Sequence, residues 1–296
     1  MGLVAVLPLL LSGCSRPVGA PPVRVTSPSP SPSPSPVPQA TAVSVDRVID
    51  IARELSVGIG ERVKGTDGER RAADIIEMHF DAAGCQTSRQ TFTRAAGGTS
   101  QNVICRVPEA DFSHGWTVIG GHYDTVPGSP GGNDNASGSA LTVALAEAFV
   151  RSRAPIEFVA FSSEERDRAT RAHHEGSRAY VAQLSAPGMV LAMISPDMIA
   201  NGPRLHITID RSHPGQLGAE LLTLADELKI PAFIDRAGDV SDHTSFTRVG
   251  VPAVALWTGR RPEYHSAGDT FDTVDRASLM MSITLMDSWL RRRYGL

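Results

Sequence analysis

Lysine is almost missing from these 296 residues. Lys64 and Lys229 are the whole complement, and arginine supplies the rest of the positive charge. With the richness in alanine, that bias fits codon usage and carries no functional weight. A basic surplus is missing too: the formal net charge is -4, with 20% charged residues. The chain therefore has no electrostatic footprint for phosphate backbones, and no nucleic acid is expected among its partners. Long apolar runs are also lacking. The first thirteen residues, MGLVAVLPLLLSG, are too short to span a bilayer but suit the apolar region of a secretory signal. Cysteine is scarce, with three residues, Cys14, Cys85 and Cys105. No internal repeat is visible. What is present is 41% hydrophobic residues, enough to bury a sizeable core in one or two domains.

Leu11, Ser12, Gly13 and Cys14 resemble the bacterial lipoprotein signal, in which cleavage before the cysteine leaves a thiol that is diacylated. Residues 1–14 are then a signal sequence, with Cys14 as the lipidation site of a protein exported and anchored to the bacterial envelope. No Lys or Arg precedes the apolar run, a departure from that pattern. The competing reading is an ordinary signal peptide with an incidental cysteine. Residues 15–41 read as a disordered tether, because SPSPSPSPSPVP has no apolar periodicity and its prolines favour extended polyproline. At about 3.1 Å per residue, Pro21 to Pro38 would hold a domain ~55 Å from a membrane.

From residue 42 to 296, alternating helical and strand signals argue for an α/β domain with a largely parallel central sheet. Helices are expected over Val45 to Leu55, Gly68 to Ala83, Gly138 to Val150, Gly215 to Leu228 and Arg276 to Arg292. Strands are expected over Asn102 to Val107, Trp116 to Gly120, Ile156 to Phe161, Met189 to Ile194, Leu205 to Ile209 and Ala253 to Trp257. Cys85 and Cys105 sit in CQTSRQTF and QNVICRV, which read as two strands joined by the turn AAGGTS. A cross-strand disulfide and two buried free thiols both remain open for them.

The stretch GGHYDTVPGSPGGNDNASGSA follows the strand WTVI, placing polar groups at a strand's carboxyl end, where α/β sheets build their sites. His122 offers an imidazole, and Asp124, two residues on, could orient it. Asp134 follows among Gly131, Gly132, Ser137 and Gly138, small residues that permit a tight backbone path. The next strand ends in Glu164 and Glu165. Adjacent carboxylates there are costly to bury without a cation, and one can ligate while its neighbour accepts a proton. Asp197 follows the strand MVLAMI, and EYHSAGDT brings His265 from far along the chain, so four separate strand ends are expected to offer donors. The set His122, Asp134, Glu165, Asp197 and His265 supplies two nitrogens and three carboxylates. That suits two zinc ions with one carboxylate bridging.

With the motifs RVKGTDGERRAADII, GGHYDTVPGSPGGNDNASG, FSSEE, HEGSRAYV, SPDM, SDHTSF and YHSAGDT in order, the chain resembles the co-catalytic dizinc aminopeptidases from roughly Arg62 to its C-terminus. Relatives of that family include glutaminyl cyclases and zinc carboxypeptidases. The resemblance implies a single zinc-exopeptidase-like domain, of the phosphorylase/hydrolase-like fold, with a mixed, largely parallel sheet flanked by helices. It implies that Asp134 bridges two zinc ions, His122 and Asp197 completing one site and Glu165 and His265 the other. Glu164 would be the general base, and Tyr264 would help polarise the scissile carbonyl. Asp242 and His243 would lie near the pocket with no assigned role. A cis peptide between Asp134 and Asn135 is implied as well. Two features depart from the compact members: the long loop RDRATRAHHE, whose His173 and His174 are expected to be solvent-exposed, and Pro196 before Asp197. The expected activity is hydrolysis of the first peptide bond of peptides with a free N-terminus, by a monomer. The alternative is cyclisation of amino-terminal glutamine, for which the resembling cyclases use one zinc and a tryptophan beside the last histidine. A non-catalytic binding protein is disfavoured because it has no need of Glu164 beside Glu165.

Overall fold

In the computed structural model the alternating helices and strands form an eight-stranded mixed sheet with helices on both faces. The structure describes residues 1–3, 39–211 and 213–296. All but the first three residues of the expected apolar signal, Cys14 and all but the last residues of the tether lie outside the described residues.

The first helix, α1 (Val45–Arg53), starts where the Ser44 side chain accepts a hydrogen bond from Arg47 N, and it runs on into a π-helical turn, Glu54–Ile59. Helix α2 (Asp67–Ala83) stops at Gly84, whose φ of 95° is the left-handed conformation glycine adopts without strain. Strands β1 (Gln86–Thr93) and β2 (Thr99–Arg106) form a hairpin. Then follow β3 (Trp116–His122), α3 (Gly138–Phe149), β4 (Ile156–Phe161), α4 (Glu175–Ala182), β5 (Val190–Pro196) and β6 (Leu205–Asp210). The chain continues through α5 (Gln216–Glu227), β7 (Ala232–Ala237), the short α6 (His243–Thr247) and β8 (Ala253–Trp257) to α7 (Arg276–Tyr294). Asp275 caps α7, and Arg291 to Arg293 in its last turn complement the helix dipole.

Strand order is β1-β2-β4-β3-β5-β8-β6-β7. Strand β3 pairs in parallel with β4 on one side and β5 on the other, so the chain's winding reverses there. Crevices beyond the carboxyl ends of strands at such a reversal are where open α/β sheets bind ligands. Both sheet faces are covered, as parallel strands require. On one face Ile119, Phe158 and Ile194 pack with residues of α1, α2, α3, α5 and α7. On the other, Val118, Val159, Phe161 and Met193 pack with Tyr180 of α4 and Phe246 of α6.

The expected elements are all present, with ends shifted by a few residues. Three went unanticipated: α4, α6 and β7. The helices are too short to show a period, and β7 is an edge strand of half-exposed residues without a buried apolar run. Cys85 and Cys105 form a disulfide with Cα atoms 5.2 Å apart. Cys105 lies opposite Thr87, so the bond reaches diagonally from the residue just before β1. Gln39 N and Thr41 N already donate to Arg151 O and Ala148 O, so the backbone ahead of α1 lies on the domain.

Candidate metal centre

Strand β3 ends on His122, β4 leads into Glu164 and Glu165, and β5 leads into Asp197, so three donor segments leave neighbouring strands at the winding reversal. Asp134 comes from the loop between β3 and α3. His265 is not at a strand end, contrary to expectation: it sits in turns well beyond β8, with a positive φ of 55°.

All five donors converge. His122 Nε2 lies 3.3 Å from Asp134 Oδ1 and 3.4 Å from Asp197 Oδ1. His265 Nε2 lies 3.2 Å from Asp134 Oδ2 and 3.1 Å from Glu165 Oε2. Asp134 thus turns one oxygen to each histidine. Tetrahedral zinc with ligands at about 2.0 Å sets neighbouring ligand atoms about 3.3 Å apart, which is the spacing found. Asp134 Oδ2 and Asp197 Oδ1 are buried and accept no hydrogen bond, acceptors that a cation would satisfy. Burial, reinforced by Asp134, pushes Glu165 up to about 8, and burial also raises Asp197. So many enclosed carboxylates do not all ionise without compensating positive charge. The donor set therefore fits two zinc ions.

The loops carrying these donors are held by side chains with no part in ligation. Asp124 accepts hydrogen bonds from Glu164 N (3.0 Å) and Glu165 N (3.2 Å). Its carboxylate stands 3.6 Å from His122 Nδ1, while its own backbone carbonyl is nearer to that nitrogen, at 3.2 Å. Its main hold is thus on the glutamate pair. Asp269 accepts from Asn133 N and Asp134 N, at 2.8 and 3.0 Å, clamping the Asp134 loop from the far end of the chain. Asn133, Asn135 and Ser137 accept from the backbone N–H groups of Ala200, Met198 and Ile199, zipping that loop to the one after Asp197. Asn135 Nδ2 donates to Pro196 O (3.0 Å), and Asp197 N donates to Leu256 O (2.9 Å), so the proline leaves its neighbour anchored. A Cβ on Gly138 would collide with the Pro196 carbonyl, which is why glycine opens α3. The Asp134–Asn135 peptide is cis.

Arg62 is wholly buried and donates to the carbonyls of Leu55, Gly60, Tyr123, Pro130 and Gly131. Burial pulls its guanidinium down to about 10, still charged at neutral pH, while Asp269, Asp124 and Asp134 oppose the shift. Nothing local in the sequence marks this role for Arg62.

His174 corrects an expectation: it is 2% exposed, not a solvent-facing loop histidine. The end of the long loop runs back along residues 162–164, with His174 N on Glu164 O at 2.8 Å and Gly176 N on Ser162 O at 3.0 Å. That return sets His174 Nε2 2.8 Å from Glu164 Oε1, with His174 Nδ1 3.1 Å from Asp239 Oδ1. Glu164 Oε2 is left facing the donors, 4.0 Å from His122 Nε2. His173 is half-buried and bonds Asp239 Oδ2 at 2.7 Å. Asp242 is buried beside this group, with burial and Glu164 raising it to about 7. His243, also buried, is lowered to about 3 by the same loss of water, with His174 adding to the shift. Tyr264 stacks on His265 with ring centroids 3.7 Å apart. The five donors, Glu164 and Tyr264 line one cavity of about 240 Å³ with Met198, Thr208, Asp235, Ala237, Val240, Ser241, Ala255, Trp257 and Arg260.

Residues 102–288 match the model of peptidase family M28. In sequence, the chain is 29% identical to leupeptin-inactivating enzyme 1 of Streptomyces exfoliatus over 68% of this chain and 45% of that enzyme. It is 25% identical to a Mycobacterium tuberculosis protein named "Probable lipoprotein aminopeptidase LpqL", over 65% of this chain and 43% of that one. The chain thus spans under half the length of these relatives. In structure, it resembles a zinc aminopeptidase from Bacillus subtilis with a TM-score of 0.76 and 17% identity, covering 85% of this chain and 95% of that one. It also resembles the glutaminyl cyclase of Porphyromonas gingivalis, with a TM-score of 0.75 and 20% identity over 85% of this chain and 99% of that one. Those two likenesses establish the shared fold, and the match to the family model, across more than half of the sequence, establishes that the chain belongs to peptidase family M28.

Proposed function

We propose that the chain is a dizinc aminopeptidase that hydrolyses the amino-terminal peptide bond of peptides with a free N-terminus. The observation that supports it best is Asp134, whose two oxygens face two different histidines, each group closed by a further carboxylate. Asp134 would then hold both ions, with His122 and Asp197 completing one site and Glu165 and His265 the other. When bound, zinc supplies Lewis acidity, polarising a carbonyl and making water acidic enough to attack near neutral pH. Glu164 is the general base. Its Oε1 is engaged by His174, so Oε2 is the oxygen that takes the proton from the attacking water and passes it to the departing amine. Tyr264 lines the cavity beside His265 and is the donor toward the oxyanion that develops on the scissile carbonyl.

Cyclisation of amino-terminal glutamine is the second reading, kept by the structural likeness to a cyclase. It needs no water. The complete five-donor set and a tyrosine beside the last histidine support hydrolysis over it. The test supplies leucyl and glutaminyl substrates to one zinc-loaded preparation and identifies the products. Released amino acid with about two zinc ions per chain supports the aminopeptidase. Pyroglutamyl product with one zinc and no released amino acid overturns it. Acylation of Cys14, anchoring the enzyme to the cell envelope, is part of the proposal. It rests on the signal-like sequence and on the lipoprotein named among the relatives.

A further inference from the structure

The cavity beside the candidate metal centre is floored by the half of the sheet that contributes no metal donor. Asp235 on β7 lies opposite Thr208 on β6, and Thr208 lies opposite Ala255 on β8, so the three form one row across the strands and line the cavity together. The adjacent row is aromatic: Phe233, His206 and Trp257, with ring centroids 4.2 and 4.6 Å apart. Trp257 and the aliphatic Met198 and Val240 give the cavity an apolar wall, and Ala237 and Ala255 keep its floor low.

Among the described residues, the cationic group nearest Asp235 is His206, whose Nδ1 stands 3.8 Å from Asp235 Oδ2 and makes no hydrogen bond. Burial lowers the affinity of that imidazole for a proton, so at neutral pH it is uncharged. Thr208 Oγ1 is already taken by Trp257 Nε1 at 2.9 Å. Arg260 is exposed at the cavity mouth, where its guanidinium lies over the Tyr264 ring at 5.0 Å. A half-exposed carboxylate thus lines the cavity together with Trp257, Met198 and Val240, and no cation among the described residues is hydrogen-bonded to it.

We propose that Asp235 is a specificity-determining residue that receives the cationic end of the substrate's first side chain, so that peptides beginning with arginine or lysine are preferred. The inference rests on the aminopeptidase reading. A long aliphatic stem lies along Trp257, Met198 and Val240, and its guanidinium or ammonium meets the Asp235 carboxylate, a charge-assisted contact in a partly desolvated place. The uncharged stem alone gains only the apolar contact.

The experiment compares arginyl, lysyl, norleucyl and glutamyl amides of one chromogenic amine, with the zinc-loaded wild type and the variants Asp235→Asn and Asp235→Glu. Norleucine has the stem without the charge. The wild type should favour arginyl and lysyl over norleucyl in kcat/KM. Asp235→Asn should lower the arginyl-to-norleucyl ratio by about 10- to 100-fold, and Asp235→Glu should restore much of it. An unchanged ratio overturns the proposal. So does an equal fall for every substrate, which would place the carboxylate on the shared α-amine, and so does a wild type that prefers glutamyl substrates. If the wild type releases amine from none of the four while cyclising glutaminyl substrates, the aminopeptidase reading itself fails and takes this inference with it.

Discussion

Single side chains divide between those that would hold metal and those that hold the holders. Glu164→Gln should reduce kcat by about 10²- to 10⁴-fold and leave close to two zinc ions per chain by metal analysis, since the base need not ligate. Loss of zinc in step with activity would make Glu164 a ligand. Asp134→Ala should strip both ions, because its two oxygens face separate histidines. His174→Ala frees Glu164 Oε1 and should lower kcat by about 10- to 100-fold with little change in KM, partly reversed by added imidazole. A change confined to KM would show that His174 shapes the pocket instead. His122, Glu165 and Asp197 were legible in the sequence because they end or follow apolar strands, and Asp134 because it sits among small residues, whereas His265, in turns beyond β8, had only its motif to mark it. His174 was not legible, because its burial depends on a loop folding back onto residues 162–164, a long-range contact without a local period.

At the scale of elements, long helices and buried strands showed in the sequence through their periodicity, while β7 and the short helices did not. A half-exposed edge strand and one or two helical turns carry too few apolar residues to repeat. The connections between elements are less legible still. Arg62 joins the turn after α1 to the loop after β3 through five carbonyls. Arg62→Ala leaves those acceptors buried and unpaired, and should cost at least about 3 kcal/mol in urea denaturation while slackening zinc affinity. The Cys85–Cys105 disulfide ties the end of α2 to β2 across a separation of 20 residues. Its reduction should destabilise the domain by about 3 kcal/mol, read from denaturation with and without a phosphine reductant. Two thiols alkylated in unreduced, unfolded protein would show that the bond is not made. Sequence alone left that pairing open, since two buried free thiols on neighbouring strands carry the same apolar pattern as a bonded pair.

For the whole molecule, chelation removes the positive charge that the enclosed carboxylates call for. Free zinc at a hundred times its dissociation constant stabilises by about 2.7 kcal/mol. Removing it should lower Tm by about 5–10 °C, reversibly on adding zinc back. An unchanged Tm would mean that the apo site is already balanced. Cys14→Ser should move the protein from the membrane to the soluble fraction of the envelope, and a wild type that is already soluble would remove the anchor. The clamp of Asp269 on the Asp134 loop bridges about 135 residues, and His265 stands just ahead of it. Completion of the centre therefore waits for His265 and Asp269 to be made. A nascent polypeptide that has not yet reached those residues carries Asp134 without its clamp and without its second histidine. On the proposed reading, peptide-bond cleavage is deferred until both residues have been added, and shorter nascent copies are inert.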